Sequence, residues 1–286
     1  FPMQADVYGS ARFGDLMLGL SLGVARGIEG SAHVRGAQIN KEEGDGWIFL
    51  SRSHFIGLWL EKKTLLRVGR LNLPFGVRVP EHVLWAREST RTDRESDQQH
   101  GASLTYTGGS LRADAMVIIG NFQVNPDRFR ERGLCLSFEY LLGPTFAVGT
   151  SALLTRAEDD RLTRERAAIR YAQGLNTRLG LSPELSVLAE ADVIKEKGRG
   201  FGYVGFVQPD FEPIQGVHLM LTGELLNPGQ LQLEDEAAQR AANVTTRFGL
   251  WGSIAWYFAT HFDLRVDVVA RQESPLSLQT QLHVYF

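Results

Sequence analysis

Hydrophobic and polar residues alternate along most of this chain. The last eleven residues, LSLQTQLHVYF, show the pattern clearly, with Leu276, Leu278, Leu282 and Phe286 on one face and mainly polar residues on the other. Strict alternation is typical of β-strands that have one apolar and one polar face. No long stretch repeats with the 3.6-residue period of an α-helix. The pattern therefore predicts an all-β protein.

Turn residues divide the alternating pattern into sixteen predicted strands. They cover residues 3–13, 16–26, 31–40, 47–61, 64–75, 100–107, 111–122, 133–142, 145–156, 163–175, 185–196, 200–208, 217–227, 245–258, 262–272 and 276–286. The third has the weakest alternation, and losing it with one other strand would leave fourteen. No Pro/Ser-rich linker divides the chain, so we expect one antiparallel β-barrel domain over residues 1–286, with 14 to 16 strands.

The connections between the predicted strands differ in length. Short turns lie at residues 61–63, 108–110, 143–144, 182–184 and 259–261, and longer polar segments lie at 41–46, 77–99, 123–132, 157–162, 197–199, 228–244 and 273–275. Transmembrane barrels of bacteria combine short periplasmic turns with longer extracellular loops. The asymmetry predicts this topology, and an even number of strands would place both termini on the periplasmic side.

Charged residues occupy one face of the predicted strands. In residues 262–271, for example, Leu264, Val266 and Val268 lie opposite Arg265 and Asp267. Several unpaired charges could not be buried in a dry core without a large cost in free energy. We therefore expect the polar faces to line a wet lumen and the apolar faces to meet lipid. The mean hydropathy of −0.14 fits this prediction, because half of each such strand is polar.

Composition argues against several other classes of protein. The formal net charge of −3 excludes a strongly basic nucleic-acid footprint, and the single Cys135 excludes an intrachain disulfide. The common catalytic and nucleotide-binding motifs are absent, and the acids at 159–160 and 234–236 have no histidine at a meaningful spacing. We predict no catalytic residues, no metal site and no cofactor. A composite Ser/His/Asp site on the barrel wall is a catalytic alternative that the sequence leaves open.

Arginine dominates the basic residues, and some arginines share a strand face. Arg164, Arg166 and Arg170 have even spacing in one predicted strand, and Glu190, Asp192 and Glu196 have even spacing in the next. Paired antiparallel, these residues would form a cross-strand charge ladder. Such a ladder either tunes the ion selectivity of a pore or only stiffens its wall. The full set of predicted lumen residues is Arg67, Arg70, Arg164, Arg166, Arg170, Glu190, Asp192, Arg265 and Asp267.

Residues 68–76, VGRLNLPFG, contain a second feature. Pro74 cannot donate a hydrogen bond within a sheet and Gly76 permits a bend, so the chain can turn into the lumen here. The segment Gly69 to Gly76 resembles a strand end of bacterial porins of the phosphate-selective type. The resemblance implies an inward constriction loop over residues 77–99, and a solvated surface loop is the alternative. Acids are at least as numerous as arginines in this loop, which argues against phosphate selectivity. Its candidate residues are Arg78, Arg87, Arg91 and Arg94.

The C-terminal Phe286 resembles the insertion signal of bacterial outer-membrane proteins. That resemblance implies the barrel-assembly machinery as a partner, the lipid bilayer as the environment and the outer membrane as the location. The leading functional prediction is passive diffusion of small hydrophilic solutes or ions through the lumen, with no nucleic-acid partner.

A sheath around another polypeptide is the alternative function. Gly19, Gly23 and Gly149 lie on predicted inward faces, where small residues make room. That room could admit solute, or it could let a periplasmic or lumenal protein lie against the wall. A lipoprotein or a multihaem cytochrome would be such a partner, and any haem would belong to it because this chain has no haem-attachment motif.

Overall fold

A computed structural model describes residues 4–26, 36–40, 46–79, 84–94, 96–121, 123–124, 129–161, 165–232 and 244–284. Fifteen strands in these ranges form one sheet, and every strand pairs antiparallel with its neighbours in the chain. The predicted fold class, an antiparallel transmembrane β-barrel, is confirmed, and the strand count falls inside the predicted range.

The strands are β1 (Gln4–Phe13), β2 (Leu16–Arg26), β3 (Trp47–Leu60), β4 (Thr64–Leu71), β5 (Gln99–Gly108), β6 (Leu111–Gly120), β7 (Arg132–Leu141), β8 (Phe146–Asp159), β9 (Arg166–Ser182), β10 (Leu185–Glu196), β11 (Phe201–Ile214), β12 (Val217–Asn227), β13 (Arg247–Ala259), β14 (Phe262–Arg271) and β15 (Ser277–Val284). One α-helix, α1 (Trp85–Thr90), lies between β4 and β5. No helix in the described ranges is long and apolar enough to span a membrane.

The third predicted strand is wrong where the structure describes it. Residues 31–35 lie outside the described residues, and residues 36–40 form no strand. Gln38 makes only an isolated bridge to Leu50 of β3. Ala37 packs with Ala25, Ile48 and Leu50 in a small apolar cluster. The alternating pattern of this segment therefore results from burial of its apolar residues against β2 and β3. The described residues 36–40 do not form a strand of the sheet.

The odd number of described strands changes the expected position of the chain ends. Antiparallel order makes β1 and β15 run in the same direction, and no pairing between them occurs among the described residues. Gln4 therefore lies at the end of the sheet that carries the long connections, and Val284 lies at the end that carries the tight turns. The prediction that both termini share one side was made for an even number of strands, and it stays a prediction because residues 1–3 and 285–286 lie outside the described residues.

The connections have the predicted difference in length. Tight turns occupy residues 14–15, 61–63, 109–110, 142–145, 183–184, 215–216 and 260–261, all at one end of the sheet. The other end carries the longer connections. The longest are residues 72–98, 27–46 and 228–246, each of which the structure describes in part. This is the loop asymmetry of transmembrane barrels.

The two faces of the sheet differ in the predicted sense. Large apolar residues such as Val117, Leu175 and Ile254 are exposed on the outward face. Arg265 and Asp267 of β14 are buried on the inward face, whereas Val268 of the same strand is exposed. An exposed apolar surface of this extent is stable in lipid, where paired strands also satisfy the backbone hydrogen bonds.

Apolar packing inside the barrel comes from a segment that leaves the sheet after β4. Leu73, Phe75 and Val77 of this segment are buried together with inward residues of several strands, including Met116 and Trp251. Because a wide barrel cannot fill its interior with wall side chains alone, a connecting segment supplies the missing volume. The interior is thus organised around residues 72–98.

Replacing Val266 by arginine tests the assignment of the two faces. Val266 lies halfway along β14 on the outward face, so Val266→Arg should destabilise the barrel in lipid by about 2 to 4 kcal/mol. Gln279→Arg is the matched control, because Gln279 pairs with Asp267 and faces inward beside that carboxylate. Urea unfolding in lipid vesicles should show a loss only for Val266→Arg. Equal losses for the two variants would mean that the faces are misassigned.

Candidate functional site

Residues 72–98, named the inward loop here, connect β4 to β5 and fold against the inner wall. The structure describes this loop except for residues 80–83 and 95. At its start, Gly76 has a φ of +63° and approaches the Glu190 carboxylate so closely that a Cβ atom would collide with it. Glycine is therefore required at this bend. The described part of residues 77–99 therefore folds inward, with several residues buried, rather than forming a solvated loop on the surface.

Glu190 of β10 holds the beginning of the inward loop. Its carboxylate accepts hydrogen bonds from the Val77 backbone N–H, at 2.6 Å, and from the Arg87 guanidinium. Arg87 also donates to the Phe75 carbonyl and to the Thr92 hydroxyl, at 3.2 and 3.0 Å. Both side chains of the Arg87–Glu190 pair are buried. One wall carboxylate thus links the bend, the helix α1 and the segment after the helix.

Arg91 and Arg161 make further ion pairs between the inward loop and the long-connection end of the barrel. Arg91 contacts Asp160 at 2.6 Å and Glu196 at 2.8 Å. In a further pair the loop supplies the acid: Asp97 of the inward loop accepts a hydrogen bond from Arg161, which lies in the connection after β8. Burial lowers the pKa of Arg161 to about 9, an effect that the neighbouring arginines increase. The guanidinium stays protonated at neutral pH.

Glu131, in the connection before β7, collects another group of polar contacts. It binds Arg170 of β9 at 2.5 Å and accepts a hydrogen bond from the Thr155 hydroxyl at 2.7 Å. Arg170 also donates to the carbonyl of Thr90, the last residue of α1. Burial raises the pKa of Glu131, but Arg170 and Thr155 outweigh burial, so the pKa falls below its ordinary value. Glu131 therefore remains a carboxylate beside α1.

The helix α1 rests on an aromatic and acidic patch of the far wall. The Trp85 backbone N–H donates to Glu224 of β12 at 3.0 Å. Arg271 of β14 binds the same carboxylate at 2.5 Å, and its guanidinium lies 4.8 Å from the Trp85 ring and 5.0 Å from the Trp251 ring. Cation–π contacts of this kind add to the ion pair when water is excluded. The inward loop is thus docked on the β8 to β14 side of the lumen.

A cavity of about 300 Å³ remains on the opposite side of the inward loop. Tyr8 of β1 and Ser53 of β3 line it on the wall side, and Arg78 and Arg94 line it on the loop side. Arg78 is exposed. The open space therefore lies between the loop and strands β1 and β3. Polar and charged side chains line it together with apolar residues of the loop.

The predicted arginine row does not assemble. Arg164 lies outside the described residues, and Arg166 is at the start of β9 with a side chain that is 92% exposed, 3.9 Å from Asp159. Arg170 is opposite Glu196 in the β9–β10 register, and it binds Glu131. The reason is the register between β9 and β10, which sequence spacing does not define.

The predicted acids face inward, but they do not pair with the arginine row. Glu190 and Asp192 are buried opposite Asn176 and Gly174, so they do not form a ladder with the arginine row. Glu190 receives the inward loop as described above. Arg265 contacts Asp267 of its own strand at 2.9 Å, which is an i, i+2 pair on one strand face.

The two predicted residues of β4 also face inward. Arg67 donates to the Thr105 hydroxyl at 3.1 Å and lies 4.0 Å from the Asp114 carboxylate. Arg70 is fully buried and donates to the backbone carbonyls of Arg52 and Asn121, at 3.1 and 2.6 Å. Arg67 therefore links β4 to side chains of β5 and β6, whereas Arg70 holds the wall to a long connection.

Several residues that organise this site were missed by the sequence reasoning. Glu131, Asp160, Arg161, Glu224, Trp85 and Arg271 all contact the inward loop or its anchors. Glu224 and Arg271 follow the alternating pattern of inward residues, which was a usable signal. Glu131, Asp160 and Arg161 lie in connections, where alternation gives no information.

At two of the three glycines predicted to make room for a partner, side chains of this chain fill the space. A Cβ atom on Gly19 would collide with the Phe55 ring, and one on Gly149 would lie 2.5 Å from the Asn176 side chain. Phe286 lies outside the described residues. Within the described residues, no group of three or more His, Cys, Asp or Glu side chains could hold a metal ion.

Solved structures with a similar fold include several outer-membrane proteins. OmpF of Salmonella typhi in complex with daunomycin has a TM-score of 0.66 at 12% identity, over 98% of this chain and 88% of its own. The trimer form of OmpT of Vibrio cholerae has a TM-score of 0.63 at 10% identity, over 94% and 80%. The outer membrane channel DcaP of Acinetobacter baumannii has a TM-score of 0.57 at 10% identity, over 98% and 82%.

At these low identities the likeness shows the fold, a porin-type β-barrel. No protein-family model matches the chain. No curated protein sequence matches it either.

Removing the charge of Glu190 tests how the inward loop is held. Glu190→Gln leaves the buried Arg87 without its carboxylate partner, which should weaken docking of the loop by about 3 kcal/mol. Trypsin cleavage after Arg87 and Arg91, followed by mass spectrometry, should accelerate roughly a hundredfold. Glu139→Gln is the control, because the Arg178–Glu139 pair is partly exposed and such pairs contribute about 0 to 1 kcal/mol. Unchanged cleavage in Glu190→Gln would show that this ion pair does not hold the loop.

Proposed function

We propose that this chain forms a pore for passive diffusion of small hydrophilic solutes or ions across the bacterial outer membrane. The observation that carries the proposal is the cavity of about 300 Å³ beside the inward loop, which charged and polar side chains line together with the apolar residues Leu73, Phe75, Val77 and Val79. A close-packed protein core leaves few cavities larger than a water molecule, so a cavity of this size indicates a different role for the interior. Passive diffusion requires neither a cofactor nor a catalytic centre.

The outward surface supports a membrane location. Exposed residues such as Phe138, Tyr140, Trp256 and Phe258 lie towards the tight-turn ends of their strands. Aromatic side chains at strand ends are typical of the level where lipid headgroups meet the hydrocarbon. The outer membrane follows from the barrel fold itself and agrees with the outer-membrane proteins that share it. Recognition by the barrel-assembly machinery stays a prediction.

The inward loop sets the size of the pore in this proposal. Its ion pairs with Glu190, Glu196 and Asp160 hold it against the wall, which leaves the passage between the loop and strands β1 and β3. A solute in the passage would meet Tyr8 and Ser53 on one side and arginine side chains on the other. The selectivity of a pore depends on its radius and on the groups that line it.

The sheath alternative has less support than the pore. It requires space along the inner wall at the small residues, and side chains of this chain occupy that space at Gly19 and Gly149. The inward loop also fills much of the interior that a second polypeptide would need. We therefore do not favour it.

Narrowing the cavity tests the pore. Purified protein in a planar bilayer should give stable single-channel conductance, and Ser53→Trp, which fills the cavity, should lower that conductance by roughly half or more. Leu104→Trp is the control, because Leu104 is exposed on the lipid face of β5 and should leave conductance unchanged. A silent protein, or equal conductance of the two variants, would contradict the proposed passage.

A further inference from the structure

Two arginines face each other on the outward surface, at the end of the sheet that carries the long connections. Arg132 is the first residue of β7 and lies directly opposite Arg156 of β8, and both side chains are exposed. Leu134 and Leu154 form the next outward pair of the same two strands and are exposed as well. Side chains directly opposite each other have Cβ atoms about 5 Å apart. Arg132 and Arg156 are named the outer arginine pair here.

The outer arginine pair carries charge that the chain does not balance. Among the residues that the structure describes, no carboxylate forms an ion pair with either guanidinium. The two acids that follow Arg156 in β8 have other partners, since Glu158 pairs with Arg130 at 3.5 Å and Asp159 lies 3.9 Å from Arg166. Like charges directly opposite each other destabilise a sheet. An anion from outside the chain would remove that repulsion.

A third cation lies on the same outward surface, two strands away. Lys195 of β10 is opposite Tyr171 of β9, and Tyr171 is opposite Leu154 of β8. The Lys195 ammonium donates a hydrogen bond to the Arg199 carbonyl at 3.0 Å and lies 4.9 Å from the centre of the Phe201 ring. Neither contact neutralises its charge. Positive charge therefore extends over the outward surface from β7 to β10.

The height of the outer arginine pair on the barrel matches the level of lipid headgroups. Phe146 begins β8 at the tight-turn end, and it is exposed on the same outward face as Arg156. The ten residues between them span roughly 33 Å along the strand, or about 25 Å along the membrane normal at a strand tilt of about 40°. The apolar band of outer-membrane barrels is about this tall. The arginines therefore lie at the upper edge of the band, with Leu134 and Leu154 inside it.

We propose that the outer arginine pair binds the phosphate of an anionic lipid in the extracellular leaflet, while the acyl chains of that lipid cover Leu134 and Leu154. The planar N–H fork of a guanidinium matches two phosphate oxygens and keeps its charge across the physiological pH range. Clustered basic residues at the edge of a membrane span attract anionic headgroups in this way. The proposal concerns the outer surface, so it does not depend on conduction through the lumen.

Lipid binding gives the direct test. The probe is lipid A, an acylated disaccharide with two phosphates, added to the protein in detergent and measured by native mass spectrometry. The unmodified protein should bind it roughly tenfold more tightly than phosphatidylcholine, which has no net charge, and Arg132→Gln/Arg156→Gln should remove most of that preference. Lys62→Gln/Lys63→Gln is the control, because it removes two exposed charges from a tight turn at the opposite end of the barrel.

Equal affinity of the unmodified protein for the two lipids, or equal losses in the two double variants, would overturn the proposal. Inorganic phosphate at millimolar concentration distinguishes a lipid site from a site for a free anion. It should leave lipid A bound, because free phosphate cannot contact the leucine pair. Displacement of lipid A by phosphate would assign the arginines to a free anion and overturn the lipid assignment.

Arg156→Glu separates lipid binding from a structural role of the arginines. This change replaces two like charges by an Arg132–carboxylate pair, so the urea midpoint in phosphatidylcholine vesicles should equal or exceed that of the unmodified protein. Adding lipid A to the vesicles should raise the midpoint of the unmodified protein, because a ligand of the folded state stabilises it, but not that of Arg156→Glu. A lower midpoint of Arg156→Glu in phosphatidylcholine, or an equal response of both proteins to lipid A, would contradict the proposal.

Discussion

The burial of charge inside a barrel whose outer surface is apolar is the constraint on which the rest of this structure depends. A buried charge costs several kcal/mol unless a partner of opposite sign and further hydrogen bonds compensate for it. Arg87 and Arg91 of the inward loop pair with Glu190, Glu196 and Asp160. Asp97 of the loop pairs with Arg161, which lies in the connection after β8. Because each pair has one member on the loop and one on the wall or at its end, the pairing determines where the loop lies.

The docked loop then divides the lumen into two unequal parts. On the β8 to β14 side, arginines and acids neutralise one another around α1, and Trp85 and Trp251 exclude water from them. On the side of β1 and β3, a cavity remains that arginine, other polar and apolar side chains line together. The ion pairs that hold the loop therefore also determine where the open space of the lumen lies.

The strand pattern was predictable because it depends on local chemistry. In β14, Leu264 and Val268 alternate with Arg265 and Asp267, and the period of two alone assigns the two faces. The same rule failed for residues 31–40, because a short apolar segment such as that around Ala37 can be buried against a sheet without joining it. The rule also could not show at which end of the barrel the last strand terminates, because that depends on how many of the predicted strands form.

The amino-acid sequence by itself determined the all-β class, the inward and outward faces, the alternation of short and long connections and the bend at Pro74 and Gly76. Each of these follows from a residue and its near neighbours in the chain. Only the tertiary structure decided which charges meet. Arg87 and Glu190, which form one ion pair, are 103 positions apart in the sequence. Arg170 and Glu131, which form another, are 39 positions apart. Electrostatic attraction acts through space between folded elements, so the spacing of charges along one strand could not show that Arg170 would bind a connection rather than the acids of β10.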